Sequence, residues 1–259
     1  MSSTTNQWTA IILAGQRPGT DPVASAFGET YKALVNVAGT PMLARVAATL
    51  LRVPAIGRIV VLGQEPAALV PILPGDDRIA VMKSGRGISD SIQAVAGTTD
   101  APWPILVTTA DHPLLTIDMV EQFIDGATGS DVAVGMVERQ TMLARYPDNK
   151  RTWRHFRGGA YSGANLFALT SSRSRAALDL WAEAEGDRKK QFGLLVHFGL
   201  PLALRALTRT ITLEDGLAKA GKRLGLRAKP VILNEAEAAI DVDKPSDHAL
   251  VEQILAGRT

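Results

Sequence analysis

TAIILAGQRPG, residues 9–19, decides how the chain is read. Thr9 to Ala14 is a β-rich apolar burst that stops at Gly15, and a run of this length without polar alternation suits a strand buried on both faces. Arg58 to Leu62, Arg78 to Met82, Pro104 to Ala110 and Asp131 to Val137 read the same way, and Pro230 to Leu233 looks like one more strand. Helical patterns lie between them. Thr40 to Arg52 sets Met42, Val46 and Leu50 on one stripe, with Pro41 suited to a first helical turn. Ser89 to Ala96 and Thr116 to Ala127 follow; in the latter Thr116 is suited to an N-cap and Asp118 to the first turn. Such alternation predicts an α/β, three-layer fold on a mostly parallel sheet. Ligands in these sheets sit beyond the carboxyl ends of the strands, so the chemistry is expected in the residues that directly follow each burst.

The rest of the chain is read around that sheet. Its 259 residues, 46% of them hydrophobic, suffice for one large core, and residues 1–259 are expected to form a single domain. Glu138 to Gly159 is a polar insertion with six Lys or Arg against two acids, suited to a solvated loop or, as the alternative, to binding an anionic phosphate acceptor, and Ser171 to about Leu226 reads as a helical C-terminal embellishment. The 28 Lys and Arg nearly balance the 26 Asp and Glu, which argues against a nucleic-acid partner. The absence of cysteine excludes disulfides, a thiolate nucleophile and Cys-based metal sites, and the four His residues form no HExxH zinc motif. The least polar stretch, Phe192 to Leu204, falls short of the ~20 apolar residues a membrane span needs. Beside Arg188, Lys189 and Lys190, it suits a buried helix or a homodimer contact, and a membrane-surface contact or a lipid-like acceptor is the alternative. MSSTTNQWTA at the start lacks the basic and apolar regions of a secretory signal, so a cytoplasmic protein is expected.

Three places carry candidate chemistry. Leu13-Ala14-Gly15-Gln16-Arg17 follows the first strand, with Lys32 shortly after it; a glycine-bearing loop lets backbone N–H groups approach phosphate, and two cations add charge-assisted contacts. A plain surface loop is the alternative. Asp111 ends the Pro104 to Ala110 strand ahead of a Pro turn, placed either to hold a divalent cation through oxygen or to cap that turn. Asp241 and Asp243 alternate onto one side of an extended segment before Pro245 opens a helix; they suit a cation site or a solvated turn. Two phosphate-loop look-alikes fail. Gly216 to Arg223 lacks the final Ser or Thr of a Walker loop, and Gly85 to Asp90 lacks the last glycine of GxGxxG.

Taken in order, the motifs resemble the MobA-like nucleotidyltransferase superfamily. They are IILAGQRPG with YKAL behind it, Gly39 to Leu43, GISDSI (residues 87–92), TTADHPLL, YSGANLF (residues 161–167) and DVDKPSDHAL, together spanning residues 9 to about 255. The resemblance implies a GT-A-type, Rossmann-like sheet and transfer of an NMP group from an NTP, with CTP or GTP favoured, to a small or lipid-linked phosphorylated acceptor. It implies Mg2+ as cofactor. By the same likeness Leu13, Ala14 and Gly15 wrap the triphosphate, Arg17 and Lys32 contact phosphates, Asp111 and Asp243 hold the metal with Asp241 as helper, and Gly87 and Ser91 belong to the base-recognition segment. Ser162 and Asn165 face the acceptor. The sequence departs from the family loop in that Gln16 replaces a glycine, Arg17 comes early, and residues 21–30 lengthen the path to Lys32. Two other classes are weighed against this reading: a GT-A-type glycosyltransferase, whose DxD would sit after a mid-sheet strand where this chain has Ala110-Asp111-His112, and a non-catalytic nucleotide-binding regulator.

Overall fold

The computed structural model describes residues 7–16, 19–184 and 200–257. Its strands are β1 (Trp8–Leu13), β2 (Asn36–Val37), β3 (Thr40–Pro41), β4 (Ile56–Gly63), β5 (Ile79–Lys83), β6 (Ile105–Thr109), β7 (Val132–Glu138), β8 (Arg154–Phe156), β9 (Gly159–Leu169) and β10 (Ala228–Leu233). The main sheet runs β10-β7-β9-β6-β1-β4-β5, with β8 attached to β9. Its neighbours pair in parallel except around β9, which is antiparallel to β6, β7 and β8. This is the α/β layout on a mostly parallel sheet that strand–helix alternation predicts, with β1 in the interior between β6 and β4.

The unbroken apolarity of β1 has a direct cause. Ala10 and Ile12 face one hydrophobic layer, and Ile11 faces the other. The first layer is filled by helices Met42–Leu51 and Ile117–Ala127 and by the last helix, Pro245–Leu255, through residues such as Leu43, Leu50, Phe123 and Val251. On the second, Ile92 and Val95 of helix Ile88–Val95 and Leu178 of helix Arg175–Ala184 cover Ile11, Val60 and Val107. The hydroxyl of Ser89 donates to the Leu178 carbonyl at 2.5 Å and locks these two helices together. Thr116 caps its helix as expected, its Oγ1 accepting the Met119 N–H at 3.1 Å.

Several sequence-based expectations shift. Pro41 lies one residue ahead of its helix, as N-cap, because Thr40-Pro41 first pairs with Asn36-Val37 in a hairpin. The two turn residues of that hairpin, Ala38 and Gly39, have φ of 48° and 75°, the left-handed pair that a two-residue hairpin turn requires. Residues 138–159 fold into helix Arg139–Arg145 and the β8–β9 hairpin rather than an extended polar loop. Within residues 171–226, helices Arg175–Ala184, Leu200–Leu207 and Leu213–Arg223 match the helical expectation. The stretch Phe192 to Leu204 falls outside the described residues up to residue 199, as do Arg188, Lys189 and Lys190. Gly216 to Arg223 lies within helix Leu213–Arg223, so it forms no phosphate loop. Among the described residues no helix is long and apolar enough to cross a membrane.

Candidate active site

Beyond the carboxyl ends of β1 and β6 the chain opens a shallow pocket lined by Leu13 to Gln16, Lys32, Ala33, Ala110 and Asp111. Parallel pairing builds it: Leu13 stands opposite Thr109 on β6 and Leu62 on β4, and the Ala110 N–H donates to the Leu13 carbonyl at 3.0 Å. The loop after β1 and the turn carrying Asp111 therefore emerge side by side.

Asp243 arrives from the far end of the chain. Ile240 and Val242 are buried in the core, which turns Asp241 and Asp243 outward, as the alternation predicts. The Val242 N–H donates to the Asp111 carbonyl at 2.9 Å, stitching the two acidic segments together. Asp247, in the first turn of helix Pro245–Leu255, accepts the N–H groups of Asp243 (3.1 Å) and Lys244 (3.2 Å) and so fixes where Asp243 stands. The same helix holds the segment around Lys32. Glu252 accepts the Ala38 N–H at 2.7 Å, His248 Nε2 lies 2.7 Å from the Asn36 carbonyl, and Phe27 packs on the His248 ring at 4.0 Å.

The result is a three-residue cluster. Lys32 Nζ donates to Asp111 Oδ2 at 2.5 Å and to Asp243 Oδ1 at 3.0 Å. Burial works to lower the Lys32 pKa, but the charges and hydrogen bonds of Asp111 and then Asp243 outweigh it and hold the ammonium above the ordinary lysine value. The other Asp111 oxygen, Oδ1, is buried without a hydrogen-bond partner, and it stands ready for a ligand. Two carboxylates around one cation are the hard oxygen donors that Mg2+ takes. Among the described residues no cluster of three or more Asp, Glu, His or Cys stands together, so most of such an ion's shell would have to come from phosphate and water.

Beside this cluster lies a second one. Arg151, from the insertion, donates to Asp241 Oδ1 at 2.8 Å, and Asn165 Nδ2 donates to Asp241 Oδ2 at 3.0 Å. Arg151 Nε reaches Ser162 Oγ at 3.4 Å. Asp241 is thus spoken for by Arg151 and Asn165, and Asp243 by Lys32; the two acids share a side but not a partner. Asn165 sits at φ 49°, where β9 and β7 lose register between Val134 and Met136. Gly135, opposite this irregularity, is crowded, since an added Cβ would lie 3.0 Å from Leu166 Cβ.

The base segment is placed differently from the phosphate loop. Gly87 is the N-cap of helix Ile88–Val95, and the Ser91 hydroxyl accepts the Gly85 N–H (2.9 Å) while donating to the Gly87 carbonyl (2.5 Å). Ser91 therefore ties Gly85 to Gly87 and shapes the loop. Arg17 lies outside the described residues. His112 is 1% exposed; burial lowers its pKa against the opposing charges of Asp111 and Asp241, so it backs the site as a neutral packing residue.

Sequence reasoning missed Gln64 and the particular part of Arg151. Gln64 follows β4 directly, and the rule that marked Asp111 after β6 marks it as well. Arg151 was one of six cations in the insertion, and nothing local distinguishes it from exposed Arg139, Lys150, Arg154 and Arg157.

Residues 10–200 match the family model described as the MobA-like NTP transferase domain. Over 91% of its length the chain is 26% identical to the bifunctional protein GlmU of Mycobacterium avium (strain 104), and it spans 55% of that protein. A hypothetical transferase structure from Thermus thermophilus superposes with a TM-score of 0.77 at 28% identity, covering 93% of this chain and 99% of that one. The 4-diphosphocytidyl-2C-methyl-D-erythritol synthase of Anaerococcus prevotii DSM 20548 shares the fold, with a TM-score of 0.60 at 13% identity and coverage of 98% and 100%. With most of the chain inside the family match and the sheet laid out as in these structures, the chain belongs to the MobA-like NTP transferases.

Proposed function

We propose that this nucleotidyltransferase moves an NMP group from a Mg2+-bound NTP, CTP or GTP, to a phosphorylated acceptor and releases pyrophosphate. The observation that carries the reading is the meeting of Asp111 and Asp243 on the Lys32 ammonium at the mouth of the loop Leu13 to Gln16. A cytidyl-handling synthase of the same fold supports CTP. In the reaction an acceptor oxygen attacks the α-phosphorus in line; the new P–O bond forms as the bond to the pyrophosphate oxygen breaks, and the pyrophosphate carries off the charge. Little covalent work falls to the protein, so positioning and charge neutralisation dominate. Asp111 and Asp243 would hold the Mg2+, which supplies charge neutralisation on the phosphates. The Lys32 ammonium, at the mouth of the loop, would neutralise charge on the phosphates, and Leu13, Ala14 and Gly15 would present main chain to them. Gly87 and the loop that Ser91 braces face the base. Arg151, with Ser162 and Asn165 beside it, offers an anionic acceptor a guanidinium fork already oriented by Asp241.

Incubating the protein with each of the four NTPs, Mg2+ and a panel of phosphorylated acceptors, while following pyrophosphate, tests the reading. Release is expected with CTP or GTP and one acceptor class, and Asp111→Asn is expected to abolish it. Release unchanged in Asp111→Asn removes that residue from the metal site, and no release under any pairing removes the reaction.

A further inference from the structure

We propose that Gln64 is a positioning residue for nucleotide binding, acting through the main chain of the loop after β1; this rests on the reading of that loop as the triphosphate grip. Gln64 directly follows Gly63, the last residue of β4, on the strand beside β1. The main-chain ladder between these strands runs out at the Ala14 N–H, which donates to the Leu62 carbonyl at 2.8 Å. The Gln64 carboxamide continues it. Its Oε1 accepts the Gln16 N–H at 3.1 Å, and its Nε2 donates to the Gln16 carbonyl at 2.7 Å. One side chain thus holds both main-chain groups of a single loop residue, as a further strand residue would. A flipped amide would set oxygen against oxygen and N–H against N–H, so the geometry selects one orientation.

Two neighbouring features depend on this contact. Gly15 lies against the amide: an added Cβ would stand 3.1 Å from Gln64 Nε2, 3.3 Å from Oε1 and 3.4 Å from Cδ. Glycine here clears room for the strap. Gln16, held by Gln64 through its main chain, passes the constraint on through its own side chain, whose Oε1 accepts the Lys32 N–H at 3.1 Å and whose Nε2 donates to the Thr30 carbonyl at 3.2 Å. Two carboxamides in series therefore connect the end of β4 to the backbone of Lys32, across the mouth of the pocket. Fixing a phosphate-facing loop before the ligand arrives removes an ordering cost from binding.

The test is a titration of Mg·CTP and Mg·GTP by calorimetry into wild type, Gln64→Met, Gly15→Ala and the double variant, with thermal midpoints measured alongside. Methionine keeps the volume and loses both hydrogen bonds. The expected result is nucleotide affinity weakened about tenfold in Gln64→Met, the loss anticipated for two net hydrogen bonds, with a midpoint close to wild type. The KM for the NTP should rise with it, while kcat at saturation and the KM for the acceptor stay within about threefold. Gly15→Ala should weaken binding alone and add nothing in the Gln64→Met background, because both act on one contact. Wild-type affinity in Gln64→Met, a lowered midpoint with unchanged affinity, or full additivity of the two changes would overturn the proposal while leaving the nucleotide reading intact. A wild type that binds neither nucleotide would sink that reading, and this proposal with it.

Discussion

Lys32 bridges two carboxylates through one ammonium, with its side chain and that of Asp111 only 17% and 16% exposed. Its removal is therefore felt twice. Lys32→Ala should cost roughly 10²–10³ in turnover, the loss typical of one preorganised donor, as read by pyrophosphate release; a variant within a few-fold of wild type would refute the role. The same variant leaves Asp111 and Asp243 facing each other without a cation, so its metal-free thermal midpoint should fall and Mg2+ should restore it. His112 gives a pH prediction. Burial keeps its folded pKa below the ordinary value, so the unfolded chain takes up a proton near pH ~6.5 that the folded chain refuses. Stability contributed by the neutral ring is present above that pH and lost as the pH falls below it. Denaturant unfolding should show a smaller acid-side loss in His112→Gln than in wild type; equal losses would contradict it. At this scale the sequence was legible where a residue follows a strand, as for Asp111. Gln64 was equally placed, yet its part depends on a partner, the Gln16 backbone, that only the fold supplies.

The elements show a similar division. Strands buried on both faces were readable as apolar runs, and each of the bursts at residues 9–14, 58–62, 78–82, 104–110 and 131–137 falls on a strand. β9 was not recoverable from apolarity, because YSGANLF mixes polar and small residues; it emerged only through its likeness to a family motif. The mixture has a physical reason. β9 is wedged antiparallel between β6 and β7, and its irregularity turns Asn165 toward Asp241. The elements of the insertion were not legible because its helix and hairpin are short and take hold through tertiary contacts, such as Tyr146 and Arg145 on Glu237. Gly135→Ala tests how far the irregularity serves the site. The new Cβ would stand 3.0 Å from Leu166 Cβ, so Leu166 must give by a few tenths of an ångström, and the thermal midpoint reads how readily it does. If the Asn165 geometry matters, the KM for the acceptor should rise in that variant while the KM for the NTP holds; a stability loss with both KM values unchanged would confine the irregularity to packing.

Across the whole molecule, the sheet order brings the ends of β1, β4 and β6 together, and helix Pro245–Leu255 then binds the Lys32 segment to the Asp243 turn. Composition and periodicity made the layers legible, whereas the convergence of Asp111 and Asp243 rests on long-range pairing that no local pattern encodes. Helix Leu213–Arg223 packs on β10 and helix Arg175–Ala184 on helix Ile88–Val95, so variation on these two helices should change stability before it changes nucleotide chemistry. The claim on which everything else depends is that both aspartates serve a single metal–nucleotide complex. Mn2+ in place of Mg2+ allows its bound fraction to be read by electron paramagnetic resonance, with CTP or GTP present, in wild type, Asp111→Asn and Asp243→Asn. The account predicts binding in wild type and a loss of at least about tenfold in affinity in each single variant; wild-type Mn2+ affinity in either variant would contradict it.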